Sequence, residues 1–117
     1  MQKLMIIVQD SPYALNTKAW DALRCIGALL AGDVIVRLCL LGPGAELGKK
    51  EHRPTDGYDN LEELLTELID CGLTVSVCGK SMCDFGIKEE DLIEGVKKGS
   101  MKLLADWIAE SNHVLAF

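Results

Sequence analysis

A chain of 117 residues, 49% hydrophobic and 26% charged, can bury one continuous core but not two, so a single domain over 1–117 is expected and disorder is excluded. The formal net charge is -6, and the basic residues gather only in pairs such as Lys49-Lys50 and Lys97-Lys98; such a surface repels phosphate backbones and argues against nucleic-acid binding. No apolar stretch approaches the roughly 18 residues that span a bilayer. The run Leu4 to Val8 ends at Gln9-Asp10 with no small-residue cleavage site, so a cytoplasmic protein without membrane contact is expected.

Lys3 to Gln9 is aliphatic and β-branched without polar alternation, the pattern of a strand buried on both faces of a parallel sheet. After Asp10-Ser11-Pro12, apolar residues at 15, 19, 22, 23, 26, 29 and 30 form a helical stripe closed by Gly32. Residues 34–41 read as a second strand, which Gly42-Pro43-Gly44 terminates. Residues 42–57 hold two of the three prolines and read as a long surface loop able to act as a flap. Asp59-Asn60 offers N-caps for a helix whose inner face is Leu61, Leu64, Leu65, Leu68 and Ile69. Gly72 then supplies a turn into a short strand, 73–77, that ends at Cys78.

Between Gly79 and Gly99 the pattern weakens, which predicts one or two short helical turns joined by loops. Ser100 is a candidate N-cap for a last helix with Met101, Leu104, Ala105 and Ile108 inward, and 113–117 reads as a final strand. The alternation predicts an α/β domain with a mainly parallel sheet of about five strands and helices on both faces, a Rossmann-like layering.

The five cysteines are an odd set, too sparse for a disulfide framework, and read as thiols. His52 and His113 stand in no zinc-binding spacing with Cys78 and Cys83, so no metal is expected, and no motif calls for a cofactor. Cys78 alone lies at the carboxyl end of a predicted strand beside a glycine, where ligands of open α/β sheets collect. If Gly79-Lys80-Ser81 opens a helical turn, the thiol faces free backbone N–H groups that favour the nucleophilic thiolate. Lys80 would add a charge, and the Gly79 amide and Ser81 hydroxyl could donate to a terminal sulfur. Cys83, five residues on, reads as a resolving thiol or an incidental cysteine. Cys25, Cys39 and Cys71 read as structural, and His52 as a loop residue that could reach the site if the loop folds over it.

Taken together, several landmarks resemble the DsrE/DsrF-like sulfur-relay family over nearly the whole chain. They are the opening strand through Pro12-Tyr13 into Ala22-Leu23-Arg24, the strand Arg37 to Leu41 with Gly42, and the helix Asn60-Leu61-Glu62-Glu63-Leu64-Leu65. Val77-Cys78-Gly79, with Gly86-Ile87 following, and Glu94-Gly95-Val96 through Gly99-Ser100-Met101 complete them. Many members have a second cysteine and an arginine where this chain has Ser81 and Phe85. The resemblance implies a persulfide carried on Cys78, sulfur donor and acceptor proteins as partners, and a homo-oligomer, commonly a trimer or hexamer. A non-catalytic binding or assembly module and a Cys78–Cys83 redox sensor are the alternatives.

Overall fold

The computed structural model describes residues 1–55 and 57–117 of the chain; Asp56, within the expected 42–57 loop, lies outside the described residues. Five strands, β1 (Lys3–Val8), β2 (Ile35–Leu40), β3 (Thr74–Cys78), β4 (Val96–Gly99) and β5 (His113–Ala116), form one sheet in the order β4-β3-β2-β1-β5. Every pairing is parallel. Four helices connect them: α1 (Lys18–Ala31), α2 (Leu61–Asp70), α3 (Gly79–Asp84) and α4 (Met101–Glu110).

Parallel neighbours require crossovers, and right-handed crossovers fix which face each helix covers. From β1 to β4 the chain steps in one direction, so α1, α2 and α3 share a face. Leu23 and Ile26 of α1, Leu65 of α2 and Met82 of α3 accordingly belong to one core with Leu4, Ile6 and Val8 of β1. The return from β4 to β5 runs back across the sheet and puts α4 on the opposite face, where Leu104 packs with Met5 and Cys39. Asn60 caps α2 by accepting the Glu62 and Glu63 amides at 2.9 and 3.3 Å, and Ser100 caps α4 by accepting the Leu103 amide at 3.2 Å.

Four expectations need correction. Leu15 is fully exposed, because α1 starts only at Lys18, whose amide is turned back onto the Asn16 side-chain oxygen at 3.0 Å. Gly42-Pro43-Gly44 does not end regular structure: Gly42–Gly48 is a 3-10 helix with Gly44, Ala45 and Leu47 buried. The 79–99 segment contains β4 as well as helical turns; four residues with two lysines on a sheet edge give little strand signal. On α4 only Leu104 is buried, while Met101, Ala105 and Ile108 face outward, because one helix cannot cover the whole second face.

The 3-10 helix crosses so close to β1 that a Cβ on Gly44 would collide with the Val8 carbonyl. Backbone cannot yield as a flexible side chain does, so Gly44→Ala is expected to lose about 3 kcal/mol in chemical denaturation. An unchanged midpoint would show that this close approach is not required.

Candidate functional site

In an open parallel sheet the crevice opens where helices leaving adjacent strands depart to opposite faces, beyond the strands' carboxyl ends. Here those strands are β3, which leads into α3 on the first face, and β4, which leads into α4 on the second. Cys78 ends β3 and is paired in register with Gly99, which ends β4. The cysteine therefore occupies the topological switch point.

Cys78 is also the N-cap residue of α3, with extended backbone angles, so its sulfur faces the free amides of the first turn. The residue is 8% exposed. Burial pushes the thiol up, and the Asp84 carboxylate adds to this. The Ser81 amide, the Ser81 hydroxyl and the Lys80 amide lie near enough to favour the thiolate, without a capping hydrogen bond to the sulfur already formed, and they outweigh both, leaving the thiol below its ordinary value. Ser81 is itself buried, and its oxygen accepts the Gly42 amide at 2.8 Å. That bond leaves the Ser81 hydroxyl proton free for the sulfur and ties the turn after β2 to the turn after β3.

The other site residues are placed as follows. Gly79 opens α3, and a Cβ there would lie 2.9 Å from the Lys98 Cε, so the Lys98 chain runs alongside the first turn. The Lys80 ammonium is committed to Asp84, 3.1 Å from each carboxylate oxygen, so Lys80 acts on the sulfur chiefly through its amide. Lys98 has no carboxylate within salt-bridge distance among the described residues. It escaped the sequence reading because its place beside Val77 is set by the β3–β4 pairing, for which the sequence carries little signal.

Cys83 is exposed on the continuous helix α3, and five residues of helix carry it a turn onward and away from Cys78. Cys39 is buried on β2 and its thiol is pushed up to about 11 by burial, with the Cys78 charge adding to the effect. Its register partner is Ser76, so Cys78 is a diagonal neighbour at roughly 8 Å between Cα atoms, beyond disulfide reach. His52 is held at the N-terminal end of α2, with Nδ1 2.8 Å from the Tyr13 hydroxyl and its amide donated to Glu62 at 2.8 Å. No group of three or more potential metal ligands occurs among the described residues.

The profile of the DsrE/DsrF-like family matches residues 2–117. The chain is 40% identical to protein MJ0989 of Methanocaldococcus jannaschii over 98% of its own length and 99% of that protein's. It is 29% identical to YchN of Escherichia coli over the full length of both. The crystal structure of YchN superposes with a TM-score of 0.90 at 28% identity, covering both chains completely. MTH1491 of Methanobacterium thermoautotrophicum shares the fold, with a TM-score of 0.80 at 12% identity over 98% of this chain and 99% of that one.

Ser81→Ala removes a donor to the thiolate and orphans the Gly42 amide. The variant is expected to alkylate at Cys78 more slowly at pH 7 and to lose about 1–2 kcal/mol of stability. Iodoacetamide labelling followed by peptide mapping, with a denaturation curve, reads both; an unchanged rate would remove Ser81 from the site.

Proposed function

The chain belongs to the DsrE/DsrF-like family, and on that premise we propose that it relays sulfane sulfur as a persulfide on Cys78. The observation that carries this reading is a thiol at the sheet's switch point that the Ser81 and Lys80 donors hold below its ordinary value. Family membership supports the sulfur-relay context.

The Cys78 thiolate attacks the terminal sulfur of a donor persulfide, R–S–SH. The donor's S–S bond breaks, R–S⁻ departs, and Cys78–S–SH forms with the terminal proton retained. An acceptor thiolate then attacks that terminal sulfur, becomes the persulfide, and returns Cys78 as thiolate. Both steps conserve charge and electrons and use no metal or organic cofactor. The donors that favour the thiolate favour it equally as leaving group in the second step, because a lower thiol pKa departs faster. The Gly79 amide and Lys98 extend the positive side of the site toward the terminal sulfur.

Donor and acceptor are proteins on this reading, which rests on the sulfur-relay context of the family. Self-association accompanies it: β5 leaves one strand edge open, Ile35 and Val114 stay exposed on the face that α4 covers only in part, Ile108 is exposed on α4, and Leu115 is exposed on the opposite face of the edge strand. A second copy, within a trimer or hexamer, would cover that surface. A Cys78–Cys83 redox couple fits less well, because it needs α3 to unwind.

After incubation with a persulfidated donor, intact-mass and peptide analysis should find an addition of about 32 Da, one sulfur atom, on Cys78. Cys83→Ser should retain it and Cys78→Ser should not. An adduct confined to Cys83, or none on either, contradicts the proposal.

A further inference from the structure

A second region departs from what an uncommitted surface requires, and it owes nothing to Cys78. Tyr13 has φ +62°, a left-handed conformation that costs a bulky L-residue energy and persists only when the surroundings hold it. Two hydrogen bonds do so: the Tyr13 oxygen accepts the Leu61 amide and meets His52 Nδ1, each at 2.8 Å. These bonds draw the segment before α1 against the start of α2.

Between those segments lies a pocket of about 240 Å³, bounded by Tyr13, Thr17, Trp20, Tyr58, Asp59 and Leu61 among others. Of the six aromatic residues in the chain, three meet there, so rings form part of the wall. Tyr13 and Tyr58 stand edge to face at 84°, with centroids 6.3 Å apart. Its volume falls below the roughly 300–1,000 Å³ of pockets for drug-sized ligands, so the occupant is small.

The polar groups at the rim select the charge of that occupant. Asn16 uses its oxygen on the Lys18 amide at 3.0 Å and one of its two side-chain N–H donors on Asp10 at 3.4 Å, and the Thr17 hydroxyl donates to Asp21 at 2.8 Å. What remains is the Asp59 carboxylate, which has no hydrogen-bond or ion-pair partner among the described residues, and the spare lone pair of Thr17. Both groups accept; the second Asn16 N–H is the remaining side-chain donor, the Tyr58 hydroxyl can act either way, and of these groups only the carboxylate carries a full charge. Asp59 is the only charged residue of the lining among the described residues. Ring faces and a carboxylate both attract cations, and the net charge of -6 steers them inward. Trp20 already serves this way in the protein's own packing, with the Arg24 guanidinium 4.6 Å from its ring centroid.

We propose that the pocket between the start of α1 and the N-terminus of α2 binds a small organic cation, an ammonium or guanidinium group on a compact body. A free amine and a lysine or arginine side chain of another protein both present such a group, and the recognition is the same.

The test uses the full chain carrying Trp107→Phe, so that Trp20 reports alone. Benzylammonium, its neutral isostere benzyl alcohol, and a blocked lysine (Nα-acetyl-lysine N-methylamide) are titrated separately against Trp20 fluorescence and the Tyr13 and Tyr58 ring resonances. Saturable shifts with benzylammonium about tenfold tighter than with benzyl alcohol, weakened by Asp59→Asn and by salt, are expected. If the blocked lysine binds tighter than benzylammonium, the cation comes from a protein side chain; the reverse order assigns a free amine. Equal binding of the charged and neutral benzyl probes, or no saturable change with either cation, overturns the proposal. Persulfide formation on Cys78 is unaffected by either result, so the two readings fail independently.

Discussion

The Ser81 hydroxyl sits between two groups that come from opposite ends of the site's construction. It accepts the Gly42 amide from the turn after β2 and offers its proton to the sulfur at the end of β3. A neutral hydroxyl whose oxygen already accepts a backbone bond is oriented to donate in one direction, which is what a thiolate in a mostly buried place requires. That donor acts together with the Ser81 and Lys80 amides against burial, whereas Cys39 has no such donor and its thiol is pushed up. The two residues differ in two respects within one protein: Cys39 lies deeper and has no donor, while Cys78 lies at a helix N-terminus with donors around it, and only Cys78 falls below the ordinary thiol value.

The topology explains why the donors converge at this point. Strand order places the departure of α3 and α4 to opposite faces between β3 and β4, and β3 ends in the cysteine. The 3-10 helix from Gly42 to Gly48 is the third component, packed against α3 on one side and against Val8 on the other. Its buried glycines and alanine allow backbone to approach backbone, which brings the Gly42 amide to Ser81. Charge is handled more sparingly. Asp84 neutralises Lys80 and opposes the thiolate, so the Ser81 and Lys80 donors supply the stabilisation.

Much of this was legible in the sequence because the relevant signals are local. β1, α1, β2, α2 and β3 carry long apolar patterns, and the glycine after Cys78 marks a strand passing into a helix. The misses share one cause, which is that their signals are tertiary. Ser81 meets Gly42 across 39 residues, and no periodicity encodes that meeting. Gly44, Ala45 and Leu47 read as loop because Gly and Pro dominate the segment, yet burial against β1 makes them core. β4 draws its strand character from its neighbour β3 rather than from its own Val-Lys-Lys-Gly composition. The Lys80–Asp84 pair, by contrast, was available from the i,i+4 spacing alone.

Ionisation of the Cys78 sulfur is the quantity on which the account turns, and it can be followed without any donor protein. In protein labelled with 13C at cysteine Cβ, the Cys78 resonance, assigned by its absence in Cys78→Ser, is recorded across a pH series. A transition at lower pH than that of free cysteine in the same buffer is the predicted result. A transition at or above that of free cysteine would mean that burial prevails over the Ser81 and Lys80 donors, contradicting the assignment of Cys78 as a reactive thiol.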